Sequence, residues 1–69
     1  MHIDFFGDLK MRFLRLHDVM NKTGLSRSSI YKQMSINNFP QQIKLGARIV
    51  AWHEAAVDTW ISSKLEGAN

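Results

Sequence analysis

The stretch "TGLSRSSIYKQM", residues 23–34, contains the signals that decide the fold of this chain. Gly24 tolerates the left-handed conformation that ends a helix, and Ser26 is a favourable N-cap for a following helix. Leu25 before the cap and Ile30 in the first turns can form a hydrophobic staple. We therefore predict that one helix ends at Gly24 and that a second begins after Ser26, with a turn of about three residues between them.

The residues before this turn predict a short strand and the first helix. "RFLRL", residues 12–16, alternates polar and apolar side chains, which indicates an extended segment with Phe13 or Leu14 packed inward. A helix over about residues 17–23 follows, and the second helix is expected to cover about residues 27–36 because Asn37 and Asn38 break it and Phe39-Pro40 forces an extended backbone. The apolar stripe of the first helix consists of Leu16, Val19, Met20 and Thr23.

After Pro40 the pattern changes from helical to β. "QIKLGARIVAW", residues 42–52, is rich in Ile, Val and Leu around Gly46-Ala47, which predicts a hairpin with a two-residue turn and Gly46 at its first position. A last helix over about residues 54–65 is predicted by the stripe Val57, Trp60, Ile61 and Leu65. The order of strand, helix, turn, helix, hairpin and helix indicates an α+β, mostly α fold: a winged helix-turn-helix with three helices and a two-stranded β-hairpin wing.

Basic residues concentrate in the middle of the chain. The 69 residues include nine Lys/Arg and six Asp/Glu, a formal net charge of +3. Residues 11–65 hold eight of the basic groups and three of the acidic ones, a net +5, whereas residues 1–10 and 66–69 each carry a net −1. A chain of this length forms a single small domain with a thin core. We assign that domain to residues 11–66.

Residues 1–10 show no clear period and are predicted to be an N-terminal extension. Translation could start at Met11, where the basic, patterned region begins. Alternatively, Ile3, Phe5 and Phe6 cover an edge of the core. The sequence leaves both interpretations open.

The outer face of the second helix has the composition of a nucleic-acid contact. At about 100° per residue, Ile30 and Met34 face the core, and the other side carries cations and hydroxyls without a carboxylate. Solvated helix faces usually mix both charge signs because Glu–Lys pairs stabilise them, although a basic face can also arise by chance. Guanidinium, ammonium and hydroxyl groups suit base edges and phosphates. The residues predicted to contact DNA from this helix are Ser26, Arg27, Ser28, Tyr31, Lys32 and Ser35.

The predicted hairpin tip adds two cations, because Lys44 and Arg48 flank Gly46. A basic wing tip can lie along the DNA backbone or enter the minor groove. Charged residues on an edge hairpin can also serve only to discourage aggregation. Together with the basic helix, the DNA interpretation is favoured, and we predict that Lys44 and Arg48 also contact DNA.

No residue pattern predicts catalysis, a metal site or a cofactor. The chain has no cysteine, and His2, His17 and His53 are scattered without ligand spacing. Trp60 shares a stripe with Val57, so core packing explains it better than base stacking in a single-strand site. No apolar run approaches the ~20 residues needed to cross a bilayer, so we expect a cytoplasmic protein that does not contact membranes.

Over residues 12–65 the sequence resembles the AlpA family of prophage regulatory proteins. The motifs that carry the resemblance are Leu14-Arg15-Leu16, Thr23-Gly24-Leu25-Ser26-Arg27-Ser28 with Tyr31, Phe39-Pro40, Lys44-Leu45-Gly46 with Arg48, and Ala51-Trp52 ahead of Val57 and Trp60-Ile61. The resemblance implies an excisionase- and MerR-like winged helix that binds double-stranded DNA. It also implies control of an integrase gene at its promoter, or excision of an integrated element at an attachment site. We expect further copies of the protein on the DNA, or an integrase, as additional partners.

A protein-interaction module is the alternative to a DNA binder. Small winged helices can bind an integrase, a polymerase subunit or a regulator. Replacing Arg27 and Lys32 by alanine separates the two hypotheses, because duplex binding should collapse while a protein contact elsewhere should survive.

Overall fold

The computed structural model describes residues 12–67. Residues 1–10, which were predicted to be an extension, lie outside the described part, as does Met11. The elements in chain order are β1 (Phe13–Leu14), α1 (Leu16–Thr23), α2 (Arg27–Ser35), β2 (Ile43–Lys44), β3 (Val50–His53) and α3 (Glu54–Gly67). This is the predicted order, and the fold is a winged helix-turn-helix of three helices and a small antiparallel sheet.

Local caps fix the turn between α1 and α2. Gly24 has φ 75° and donates its N–H to the Met20 carbonyl at 2.8 Å, which closes α1 in the left-handed conformation. The Ser26 hydroxyl accepts the N–H of Ser29 at 3.2 Å and caps α2. Both caps were predicted from residues 23–34 and are confirmed.

The C-terminus of α2 lies at Ser35, one residue before the predicted end. Asn37 adopts φ 58°, and its N–H reaches the Met34 carbonyl at 3.0 Å while the Asn38 N–H reaches the Gln33 carbonyl at 2.8 Å. This pair of hydrogen bonds is a Schellman motif, with asparagine in the left-handed position that glycine usually occupies. The asparagines therefore stop the helix and turn the chain toward the wing.

The three strands form an antiparallel sheet in the order β1-β3-β2. Leu14 of β1 pairs with Trp52 of β3, and Lys44 of β2 pairs with Val50. The alternating "RFLRL" segment left open whether Phe13 or Leu14 faces inward. Leu14 is 1% exposed and Phe13 is 49% exposed, so the inward residue is Leu14.

The predicted two-residue turn of the wing, with Gly46 at its first position, is wrong. Beyond the Lys44–Val50 pair, the Leu45 N–H donates to the Ile49 carbonyl at 2.8 Å, so residues 46–48 form the loop. Within residues 12–67, positive φ angles occur at Gly24 and Asn37, whereas the predicted turn requires one at Gly46. The register of β2 against β3 sets the loop length.

Two tryptophans donate hydrogen bonds to the backbone of the segment that connects α2 to the wing. Trp52 is fully buried and donates its indole N–H to the Pro40 carbonyl at 3.1 Å. Trp60 donates to the Asn38 carbonyl at 2.7 Å and packs edge-on against Phe39, with ring centroids 4.8 Å apart. The core consists of Leu14, Val19, Ile30, Phe39, Trp52 and Val57.

The apolar stripe predicted for α3 is only partly packed against the core. Val57 is fully buried, and Trp60 and Ile61 pack against the core, as predicted. Leu65 is 67% exposed, so its assignment to the packed stripe is wrong. The last turn of α3 extends past the elements on which the helix packs.

Replacing Gly24 by alanine should destabilise the protein by about 1 kcal/mol, because an L-residue is strained at φ 75°. Apart from its two chain neighbours, no atom of the described residues lies within 4 Å of the added methyl group, so backbone strain is the main cost. Gly67→Ala is the matched control, because Gly67 also has open space around it and is helical without a positive φ. Urea unfolding of both variants tests this, and equal free energies of unfolding would contradict it.

Candidate nucleic-acid interface

Helix α2 packs on the core through one side and exposes the other. Ile30 is fully buried and Met34 packs against the core. Arg27, Ser28 and Lys32 are exposed, as the helical spacing predicted. The exposed side of α2 has no acidic residue, so it presents cations and hydroxyls that carboxylates of its own helix do not neutralise.

Tyr31 lies closer to the core than the helical spacing predicted. Its ring is half-buried and meets Trp52 edge-on, with centroids 6.3 Å apart. Its hydroxyl makes a long hydrogen bond, 3.4 Å, to the Gln42 side chain ahead of β2. Tyr31 therefore connects α2 to the wing, and its hydroxyl stays at the surface between them.

Two of the predicted serines already use their hydroxyl protons within the helix. The Ser35 hydroxyl donates to the Lys32 carbonyl at 2.7 Å, and the Ser26 hydroxyl donates to the Ser29 hydroxyl at 3.0 Å. Phosphate oxygens only accept hydrogen bonds, so in this arrangement neither serine has a proton to offer them. Both side chains are exposed, and their contact with DNA stays a prediction.

The wing places the two predicted cations on a separate, exposed hairpin. Lys44 and Arg48 are both exposed, and the neighbouring Ile43, Leu45 and Ile49 are 40%, 44% and 44% exposed. Such an aliphatic surface is unusual for a hairpin that contacts only water.

The carboxylates at the start of α3 neutralise two other cations. Lys22 contacts Asp58 at 2.7 Å and Glu54 at 3.0 Å, and Arg12 contacts Glu54 at 3.5 Å. The hydrogen bonds that the Lys22 ammonium donates to the Asp58 carboxylate, and secondly to the Glu54 carboxylate, raise the pKa of Lys22 above its usual value. Within residues 12–67, these pairs leave six basic groups with no carboxylate partner. One of them, Lys64, lies over the Trp60 ring, and the other five are Arg15, Arg27, Lys32, Lys44 and Arg48.

An open groove of about 440 Å³ joins α1, α2 and β3 beside this surface. Arg27 and Tyr31 line it, together with two residues that were not predicted as site residues, Arg15 and His17. The alternation of "RFLRL" was one local signal that Arg15 is exposed, because it places Arg15 on the face opposite the inward-facing Leu14. The approach of Arg15 to Arg27 depends on how α1 packs against α2, which no local pattern shows.

The described residues show neither a metal site nor a membrane span. No group of three or more His, Asp or Glu side chains in residues 12–67 is arranged to hold a metal ion. Across the same residues, no helix has the length and apolarity to cross a bilayer.

Comparison with known proteins identifies the family. The model of the family described as "Prophage CP4-57 regulatory protein (AlpA)" matches residues 12–65. The chain belongs to the AlpA family. The AlpA match covers both helices of the helix-turn-helix, the wing and most of α3, so it includes every residue predicted to contact DNA.

Two relatives of this AlpA-family chain come from Escherichia coli and a phage. It is 37% identical over 60 residues to the E. coli (strain K12) "DNA-binding transcriptional activator AlpA". That alignment covers 78% of this chain and 86% of the E. coli protein. It is 43% identical over 56 residues to "Uncharacterized protein ORF88" of Enterobacteria phage P4, and that alignment covers 81% of this chain. The match spans 64% of the length of the phage P4 protein.

Proposed function

We propose that this AlpA-family protein binds specific sequences in double-stranded DNA and regulates transcription within a prophage or integrated element. The observation that carries the proposal is the exposed side of α2, where Arg27, Ser28 and Lys32 face outward with no opposing carboxylate on the helix. In a helix-turn-helix the second helix enters the major groove, and its N-terminal residues reach base edges. Here that helix is α2.

The wing makes the second contact of the proposed complex. Lys44 and Arg48 are exposed on the hairpin that follows α2, and Tyr31 joins the two elements through Trp52 and Gln42. The hairpin then follows the neighbouring backbone or minor groove while α2 lies in the major groove. The helix supplies sequence recognition, and the wing supplies affinity.

Such a small interface binds weakly by itself, since a single module of this size buries roughly 600–1,000 Å² of protein surface. Tight control then requires several copies on adjacent sites, with bending of the DNA between them. We expect a cooperative titration. A single copy per site with no cooperativity would contradict this part of the proposal.

The proposed output is control of an integrase gene, excision of the integrated element, or both. Footprinting of the full chain over the integrase promoter and the attachment region of its own element tests this. Protection upstream of the integrase gene indicates transcriptional control, and protection beside the attachment site indicates a role in excision. Protection at neither region contradicts this output.

A protein-interaction module is the second candidate function, and the exposed aliphatic residues of the wing favour it. Ile43, Leu45 and Ile49 form an apolar surface suited to a protein partner such as an integrase, a polymerase subunit or a regulator. Arg27→Ala with Lys32→Ala separates the functions, because those changes leave the wing surface intact.

Replacing Lys44 and Arg48 together by alanine should lower the salt dependence of duplex binding. Each phosphate contact contributes about −0.9 to the slope of log K against log salt, so the double variant should lose up to roughly 1.8 of that slope. Lys64→Ala is the control, because Lys64 sits over the Trp60 ring on α3 rather than on the wing. Titrations at several salt concentrations measure the slope, and an unchanged slope would exclude phosphate contacts by the wing.

A further inference from the structure

The groove between α1, α2 and β3 is lined by cations and by apolar side chains. Arg15 lies immediately before α1 and Arg27 is the first residue of α2, and both line the groove. Leu16, Met20 and the Tyr31 ring contribute the apolar lining. Among residues 12–67, no carboxylate lines the groove, so its chemistry suits an anion attached to a compact apolar group.

The two arginines of the groove differ from the cations that pair with the carboxylates of α3. Arg12 and Lys22 are held by Glu54 and Asp58, whereas within residues 12–67 neither Arg15 nor Arg27 contacts a carboxylate side chain. The nearest acidic group in sequence to Arg15, the Asp18 carboxylate, accepts the backbone N–H of Arg15 at 3.3 Å. Both guanidiniums are exposed, with their donors available to a ligand.

A phosphodiester is the anion that this groove fits best. Guanidinium groups bind phosphate oxygens through paired N–H donors, and two guanidiniums can share one phosphate. The deoxyribose next to the phosphate is the compact, largely apolar group that Leu16 and Met20 can contact. His17 adds an imidazole N–H donor at the start of α1.

Building on the proposed function, we propose that the groove holds one backbone phosphate of the DNA that α2 reads, clamped between Arg15 and Arg27. In helix-turn-helix complexes the first helix crosses the DNA backbone, so the start of α1 is near a strand when α2 occupies the major groove. Arg27 then positions α2 on the duplex and reads no base. Sequence recognition falls to Ser28 and Lys32, which do not line the groove.

Methylphosphonate scanning tests the clamp directly. The probe is a duplex selected by the full-length chain from a random-sequence library, with one phosphate at a time replaced by the uncharged methylphosphonate. The wild-type protein should lose roughly 5- to 50-fold in affinity at one backbone position that both arginines contact. Arg15→Ala and Arg27→Ala should each bind the unmodified duplex more weakly and lose part of the wild-type sensitivity to the modification at that same position, because one arginine of the clamp remains.

Arg12→Ala is the matched control, because it removes an arginine that Glu54 already holds. It should keep the wild-type pattern of sensitive positions. Arg15→Gln provides a second test that retains a side chain of similar length, and it should reproduce the pattern of Arg15→Ala. Since both groove arginines are exposed, circular dichroism should show that these variants are folded.

Binding to different duplex sequences distinguishes a phosphate-contacting role of Arg27 from a base-contacting role of Lys32. Arg27→Ala should weaken binding to all sequences by a similar factor, whereas Lys32→Ala should relax the preference at particular base pairs.

The clamp is rejected if wild-type protein binds DNA but Arg15→Ala and Arg15→Gln keep its methylphosphonate pattern, or if Arg15 and Arg27 protect different positions. In those cases the proposed DNA-binding function still stands. Failure of the wild-type protein to select or bind any duplex would reject both proposals.

Discussion

Trp52→Ala should leave the protein largely unfolded at 37 °C. The Trp52 side chain is fully buried in the core, to which the sheet and all three helices contribute, and its N–H donates to the Pro40 carbonyl. Removing a buried indole costs about 3–5 kcal/mol, and the whole stability of a small domain amounts to roughly 0.05–0.15 kcal/mol per residue. Urea unfolding of the full chain, followed by far-ultraviolet circular dichroism, measures the loss.

Leu65→Ala is the control for the tryptophan variant. Leu65 is also a large apolar residue, but it is 67% exposed, so its replacement should change the free energy of unfolding by less than about 0.5 kcal/mol. Trp52→Phe should fall between the two, since it keeps an aromatic ring and loses the hydrogen bond to Pro40. A Trp52→Ala protein as stable as Leu65→Ala would show that the core is not centred on this indole.

Replacing Arg27 and Lys32 together by alanine should reduce duplex binding by at least about 30-fold at physiological salt. A base contact by Lys32 contributes about 1–3 kcal/mol, and loss of the phosphate contact by Arg27 adds to this. Fluorescence anisotropy with a labelled duplex measures the change. Both side chains are exposed, so the helix content should match that of the wild-type protein.

Arg12→Ala with Lys64→Ala is the control for this double variant, because it removes the same amount of positive charge from elsewhere. Arg12 pairs with Glu54 and Lys64 sits over Trp60, 5.4 Å from the ring centroid. Equal losses in the two double variants would mean that net charge alone governs binding. Full affinity in Arg27→Ala with Lys32→Ala would reject α2 as the recognition helix and favour the protein-interaction function.

The local features of the fold could be predicted because their causes lie within a few residues of each other. The Gly24 end of α1 and the Ser26 cap of α2 depend on hydrogen bonds that span three or four residues. The exposed positions of Arg27 and Lys32 follow from helical spacing around the buried Ile30.

Features that depend on packing between distant segments could not be predicted in the same way. Spacing alone placed Tyr31 on the outer face, but Trp52, 21 residues later in the chain, draws its ring toward the core. The stripe of α3 continues to Leu65, although the sequence does not show where the partners of that stripe end. The Gly46-Ala47 pair suggested a tight turn, and the pairing of Lys44 with Val50 produced a longer loop.

The charged groups illustrate the same limit. Glu54 and Asp58 lie near the start of α3. Their contacts with Lys22, 32 residues before Glu54, could not be inferred from spacing. The groove shared by Arg15 and Arg27 also arises only when α1 and α2 pack together.

Both indole N–H groups donate hydrogen bonds to the connector between α2 and the wing, residues 36–42. The intrinsic tryptophan fluorescence of the protein therefore reports on the position of this connector. Trp52 and Trp60 are its only tryptophans, and their N–H groups bind carbonyls on either side of Phe39. Indole emission responds to the polarity and hydrogen bonding around the ring, so displacement of this connector changes the intrinsic fluorescence. Engagement of α2 or the wing can therefore be followed in unlabelled protein, and single Trp→Phe variants assign the signal to one side of the connector.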